Sequence, residues 1–376
     1  MGVFGLLGHG ATGCLGDVIA EEQFTNDFRN PALPFAPAFP SPQCADSRSI
    51  AISPECFASI EPPCYVASAM GCVGFPRLVE MGFADTRGEE KMPFEDSSSP
   101  RIEPCRKPGA FGRFYLQELV NSGGMADIFL ATDDAKQTRA MRLLRPTSFL
   151  DFATPSRFIR GCEILSQIHN HDYVIGYYSH GKAEGIHYCE MEYVEGANLK
   201  QLLFANDELL HQSVGNILID MAIALEHVHD SGFMHLDFKP ENVLVNRSGH
   251  VRLVDFDLAQ PKPDKPQKQS KNPGTPAYMA PEQLKREGID HRVDIFAFGV
   301  TAYELLTGQK PFPGDSADEI LRRQLDSSVR SPEVINPALP PALCKLVMKC
   351  LDRDPDRRYP IMSVAVLELQ NMLYVD

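Results

Sequence analysis

The chain reads His235-Leu236-Asp237-Phe238-Lys239-Pro240-Glu241-Asn242 and then, 18 residues after Asp237, Asp255-Phe256-Asp257. A carboxylate, an ammonium and a carboxamide fall close together, and a second carboxylate follows after one short segment. A carboxylate can accept a hydrogen bond from a hydroxyl and take its departing proton. Carboxylate and carboxamide oxygens are the ligands that hard divalent cations favour. An ordinary surface turn needs none of these residue types in this order.

Working outward, the flanking sequence divides into a strand-rich half and a helical half. Phe114 to Val120 alternates, a Gly-containing turn follows, and Ile128 to Thr132 and Thr138 to Leu144 complete three short predicted strands. Pro155 to Ile168 predicts a helix, and Val174 to His180 and Ile186 to Val194 predict two more strands. After Leu199 helical patterns dominate, as at Ser213 to Ser231 and Val293 to Thr307. The expected fold class is α+β and bilobal, with a small β-rich lobe over 113–194 and a larger helical lobe over 199–372. A ligand would bind in the cleft between them.

The totals exclude several classes. Hydrophobic residues make up 43% of the 376 positions and charged residues 23%, as in ordinary globular proteins. A formal net charge of −14 argues against a nucleic-acid partner and against a polybasic membrane anchor. No apolar run reaches the roughly 18 residues of a membrane-spanning helix. No Lys or Arg precedes the apolar part of Met1 to Ala20, which therefore reads poorly as a signal peptide, and Leu6 does not fit a myristoylation motif. The default reading is cytoplasmic. The ten cysteines include no C-x-x-C pair, so reduced thiols are expected and a zinc site has little support. Nothing in the sequence fixes the oligomeric state.

Residues 1–110 differ in texture. They hold 13 of the 30 prolines, among them Pro31, Pro34, Pro37, Pro40 and Pro42. That spacing blocks helix and central strand and leaves an extended segment. A disordered extension is expected here, with a Pro-rich docking site or a later start at Met81 or Met92 as alternatives. The chain stops soon after the last expected helix, so no sensor domain is expected behind it.

Phosphoryl transfer from ATP needs held phosphates, held metal and a hydroxyl aimed in line. The element order suits that need: a turn that could cover phosphates, a cationic third strand, and then the stretch quoted above. The segment 113–372 resembles the Ser/Thr protein kinases, in style the eukaryotic-like kinases of bacteria. The resemblance implies ATP and Mg²⁺ as cofactors and a protein hydroxyl as acceptor. In the family pattern H-R-D-L-K-x-x-N, Asp237 would orient the substrate hydroxyl and Lys239 would neutralise the transferring phosphoryl group. Asn242 and Asp255, the latter matching the Asp of D-F-G, would bind metal. Gly123, Gly124, Ala126 and Ile128 fall in the Gly-rich loop. Ala140 would roof the adenine pocket and Met191 would line its back, while the backbone of Glu192 and Val194 would bond adenine. Thr275, in Gly274-Thr275-Pro276, would contact Asp237 and Lys239. Asp294 would brace the catalytic loop, and Glu282 would pair with Arg358.

The sequence also departs from the pattern. Leu236 replaces an arginine that often pairs with an activation-loop phosphate, so activity is not expected to be switched through that contact. Asn121 and Ala126 replace the outer loop glycines. Arg142 stands where the phosphate-gripping lysine is expected. Gly161 occupies the position of that lysine's glutamate partner, and Glu163, two residues on, should face elsewhere. Asp257 replaces the glycine of D-F-G, where it would either tighten Mg²⁺ or hinder loop rearrangement. These departures keep a second reading open: a pseudokinase that binds nucleotide or acts as a scaffold. The Lys-rich stretch from Lys262 to Lys271 reads as a solvated loop or as an attractor of acidic substrates, and Ser270 is the only hydroxyl residue in it.

Overall fold

The computed structural model describes residues 105–148, 151–269, 273–326 and 329–373. The Pro-rich segment and Ser270 lie outside these residues. In the small lobe, β1 (Gly109–Phe111), β2 (Phe114–Ser122), β3 (Ala126–Thr132), β4 (Thr138–Leu144), β5 (Tyr177–Ala183) and β6 (Ile186–Met191) form one sheet in the order β1-β2-β3-β4-β6-β5. β1 lies ahead of residue 113, where the sequence pattern placed the start of the folded segment. Tyr177–Ala183 is strand, rather than Val174 to His180. Val174 instead makes an isolated parallel bridge with Leu253.

The period-2 alternation of the strands sorts their side chains onto two faces. Phe129, Met141 and Leu143 join Phe111, Phe114, Leu116 and Ala131 in a closed outer core. Ala126, Ala140, Leu144, Cys189 and Met191 face the other way and belong to the main core.

Helix α1 (Ala153–Ile168) runs between the third and fourth predicted strands. Asp151 Oδ1 accepts the N–H groups of Ala153 and Thr154 and so satisfies donors that have no partner inside the helix. Pro155 sits in the first turn, where its missing N–H costs nothing. Phe158, Gly161, Cys162, Leu165 and Ile168 are buried at helical spacing, so this stripe faces the core.

The large lobe holds a three-stranded sheet of β7 (Gly196–Asn198), β9 (Val243–Asn246) and β10 (Val251–Leu253), with β8 (Phe233–Met234) paired elsewhere. Its helices include α2 (Leu199–Ala205), α3 (Glu208–Asp230), α4 (Pro281–Leu284) and α5 (Arg292–Thr307). α3 starts at Glu208, five residues ahead of the predicted Ser213, because the Asp207 carboxylate caps Leu209 N–H at 2.9 Å. Every residue of α5 from Val293 to Thr307 is buried, as expected of a helix at the centre of a lobe.

Two buried carboxylates tie the lobe together. Arg358 makes a bidentate pair with Glu282, at 2.6 and 2.8 Å, as the sequence led us to expect. Asp294, in the first turn of α5, accepts the backbone N–H groups of His235 and Leu236, each at 2.8 Å, and His229 Nε2 at 3.0 Å. Burial alone would raise the Asp294 carboxyl, but the His229 bond and neighbouring charge hold it below the usual 3.8. A carboxyl lowered in the folded state contributes stability that is present above its unfolded value and lost as pH falls through its folded value. Asp294→Asn is therefore expected to cost about 3 kcal/mol at neutral pH. It should also flatten the loss of stability below pH ~4, where an ordinary carboxyl titrates. Urea unfolding of both proteins across pH 3 to 7 checks this.

Candidate active site

Strand register gathers the expected nucleotide residues. Ile128 pairs with Arg142 across β3 and β4, and Arg142 pairs with Cys189 across β4 and β6. Ala140 pairs with Met191 in the next row. Partners in a ladder share a face, so Ala126, Ile128, Ala140, Arg142 and Met191 all lie on the inner side of the sheet. The turn between β2 and β3 closes through Gly123 N–H to the Ala126 carbonyl at 3.0 Å. Its flanks are pinned by Asp127, whose fully buried carboxylate accepts from Ser122 Oγ, Arg145 Nε and Cys105 N–H. A Cβ added at Gly124 would meet nothing within 4 Å, and one at Gly123 only the Ala126 carbonyl at 3.5 Å.

Beyond Met191, Glu192 N–H donates to the Gly176 carbonyl, and the Glu192 carboxylate accepts from Gly176 N–H and Arg252. The Glu192 carbonyl and the Val194 N–H have no hydrogen-bond partner among the described residues.

Across the cleft the quoted stretch forms one network. Lys239 Nζ donates to Asp237 Oδ2 at 2.7 Å and to Thr275 Oγ1 at 3.0 Å. Asn242 Nδ2 donates to the Asp237 carbonyl and to Asp237 Oδ2. Thr275 thus reaches Asp237 through Lys239. Asp237 Oδ1 and the Asn242 amide oxygen have no hydrogen-bond partner among the described residues. Leu236 adopts the left-handed backbone region, at φ 64°, which is costly for a residue with a Cβ. The grip of Asp294 on its N–H holds it there. The Leu236 side chain is buried in the main core.

Arg142 joins the two halves. Its Nη1 and Nη2 donate to Asp257 Oδ1 and Oδ2 at 2.6 and 2.5 Å, and Nη2 also donates to Asp255 Oδ1 at 3.2 Å. The guanidinium lies 5.1 Å from the centre of the Phe158 ring. Burial pulls its pKa down, but the charges of Asp257 and Asp255 more than offset this and hold the group protonated. Burial would raise Asp255 as well, yet Arg142, His235 and Lys239 leave its carboxyl below the usual range. Burial, with the charge of Asp255, pushes the Asp257 carboxyl upward against the pull of Arg142. The two-point fork sets the Asp257 carboxyl squarely against the Arg142 guanidinium. Gly161 packs directly against Asp257. Glu163 is exposed and makes no side-chain bond with Arg142, as its helical phase required.

The sequence of residues 114–368 matches the family described as the protein kinase domain. The chain belongs to this family. Among curated relatives of this chain is a probable serine/threonine-protein kinase of Streptomyces coelicolor. It is 33% identical over 266 residues, which is 69% of this chain and 39% of the relative. The serine/threonine-protein kinase PrkC of Bacillus subtilis is 31% identical over 66% of this chain and 38% of its own length. A probable serine/threonine-protein kinase PknB of Bifidobacterium longum is 31% identical over 68% of this chain and 39% of its own length. The chain thus spans about two fifths of the length of these relatives.

The bilobal α+β reading and the kinase family follow the sequence analysis. The two open readings of Asp257, metal tightening or loop hindrance, both missed its partner. The signal available was a cation at residue 142 left without its helix partner by Gly161, and an extra anion at residue 257. Among the described residues the cysteines are free, and no cluster of three or more His, Cys, Asp or Glu side chains could hold a metal by itself. No described helix is long and apolar enough to cross a membrane. From the geometry of the turn, Gly124→Ala should leave stability unchanged or raise it by up to ~1 kcal/mol. It should still weaken Mg·ATP binding several-fold, because the added methyl intrudes only on an approaching ligand. Thermal unfolding and calorimetric titration of the same samples read the two effects.

Proposed function

We propose that the chain is an ATP-dependent protein Ser/Thr kinase that moves the γ-phosphoryl group to a protein hydroxyl. The observation that carries this is the Asp237–Lys239–Asn242–Thr275 network facing Asp255. Lys239 and Asn242 hold Asp237 Oδ2, which leaves Oδ1 directed to a substrate hydroxyl. As the hydroxyl oxygen bonds to phosphorus and the bond to the ADP oxygen breaks, the hydroxyl proton passes to Asp237. Lys239 has three N–H donors and uses two on Asp237 and Thr275, so one remains for a phosphoryl oxygen.

The donor set fits a hard cation. The Asn242 amide oxygen has no other partner, and Asp255 gives only Oδ1 to Arg142. Asn242 and Asp255 would hold Mg²⁺ together with phosphate oxygens, since protein carboxylates alone do not complete a site. Mg²⁺, when bound, neutralises charge on the phosphates. Arg142 has five N–H donors and gives three to Asp257 and Asp255, leaving Nε and one Nη1 hydrogen for phosphate. Adenine would lie against Ala126, Ile128, Ala140 and Met191 and take its bonds from the Glu192 carbonyl and the Val194 N–H. Gly123 and Gly124 would leave room for the phosphates.

A protein substrate and a cytoplasmic location complete the proposal, the first supported by the Thr275–Lys239 bond and the names of the relatives. The scaffold alternative drew on Arg142, Gly161, Ala126 and Asp257. Three of these four residues meet in one ion-paired cluster, and the relatives carry kinase names, so turnover is the better reading.

Incubation with γ-³²P-ATP and Mg²⁺ should label a generic protein substrate, and Asp237→Asn should cut the rate by at least ~100-fold, as loss of a general base does. Equal label from both proteins would defeat the catalytic reading. Mg·ATP at about 100 times its Kd should also stabilise the protein by ~2.7 kcal/mol in thermal unfolding. No shift would remove nucleotide binding altogether.

A further inference from the structure

Three departures from the family pattern, at positions 142, 161 and 257, meet at one point in space. The Asp257 carboxylate faces the Arg142 guanidinium in a two-point fork at 2.5 and 2.6 Å. Its side chain is 3% exposed and is directed into the protein. Directly above it runs the inward stripe of α1. A Cβ at Gly161 would stand 2.8 Å from Asp257 Oδ1 and 3.0 Å from both its Cα and its backbone nitrogen. Two of those three atoms are backbone and cannot swing aside. Only glycine lets the helix pass this close to the aspartate. Glu163 is the only acidic residue in α1, and it is exposed.

We propose that Asp257 is the positioning residue for Arg142 and takes the place of the helix glutamate in the family pattern, with Gly161 supplying the space it occupies. The family pattern has Lys, Glu, Asp and Gly at positions 142, 161, 255 and 257, one cation against two anions. This chain has Arg, Gly, Asp and Asp there, again one cation against two anions. The electrostatic sum is kept while the acid moves from α1 to the metal-site segment. Arginine suits the new arrangement, because its planar fork matches a carboxylate at two points and still has donors left, which an ammonium cannot do in that geometry. The acidic partner of the phosphate-gripping cation then comes from the metal-site segment rather than from α1. Arg142 is locked instead to the segment that carries Asp255, so the cation and the metal-binding carboxylate move as one unit.

This inference rests on the reading that Arg142 meets nucleotide phosphates, and its test reads binding rather than turnover. Full-length protein and variants are titrated with Mg·ATP and, separately, with adenosine, which has no phosphate. Asp257→Gly is expected to weaken Mg·ATP at least tenfold and leave adenosine within twofold. General loosening of the lobe would weaken both. Asp257→Asn keeps the side-chain volume and should show the same split, which covers the case where the glycine variant does not fold. Gly161→Ala crowds the backbone of residue 257 as well as its carboxylate, so it should weaken Mg·ATP in both backgrounds, and more when Asp257 is present than when residue 257 is Gly. The proposal is overturned if Asp257→Gly and Asp257→Asn affect neither ligand or both alike. It is equally overturned if Gly161→Ala costs the same in both backgrounds. Binding results as expected without phosphoryl transfer would defeat the catalytic reading alone; transfer with the opposite binding results would defeat this inference alone. Wild-type protein that binds no Mg·ATP would end both.

Discussion

The Asp294 carboxylate is the contact on which the working part of the molecule depends. It sits at the start of a helix that is buried from Val293 to Thr307, and it accepts two successive backbone N–H groups, those of His235 and Leu236. That double acceptance holds Leu236 in a left-handed conformation and turns the chain so that Asp237, Lys239 and Asn242 emerge on one side. A charged group in such a place is tolerable only because every lone-pair direction that matters is answered. The loop is rigid because its anchor lies in the most deeply packed element of the lobe.

The small lobe uses a different device. A pleated sheet separates odd from even positions, so one face can close an apolar core while the other presents chemistry. Phe129, Met141 and Leu143 make the first face, and Ile128, Ala140, Arg142 and Met191 make the second. Asp127 holds the two strands together at the turn and fixes the Gly-rich segment at its base, not at its tip.

The two devices meet at Arg142. A cation on the sheet is paired with two carboxylates from the segment after β10, and α1 passes over the contact at a glycine. Read one at a time, an arginine for a lysine, a glycine for a glutamate and an aspartate for a glycine each look like loss. Together they restore the charge balance, and each is intelligible only when the other two are present.

The sequence by itself determined a great deal. Alternation and helical spacing marked the two lobes, because burial imposes those periods on any chain that folds this way. The order Asp237, Lys239, Asn242, Asp255 marked the family, because it matches the family's H-R-D-L-K-x-x-N and D-F-G pattern residue by residue. The Glu282–Arg358 pair and the bracing by Asp294 were legible for the same reason: they belong to that pattern. Element ends were less legible, as at α3, where a cap at Asp207 rather than hydrophobic spacing set the start. What only the tertiary structure decided was the partner of Arg142. Asp257 lies 115 residues away along the chain, and nothing local to either residue encodes the meeting. It is settled by the approach of α1 and the crossing of two lobes, where a missing Cβ leaves room for a carboxylate that the family pattern places elsewhere.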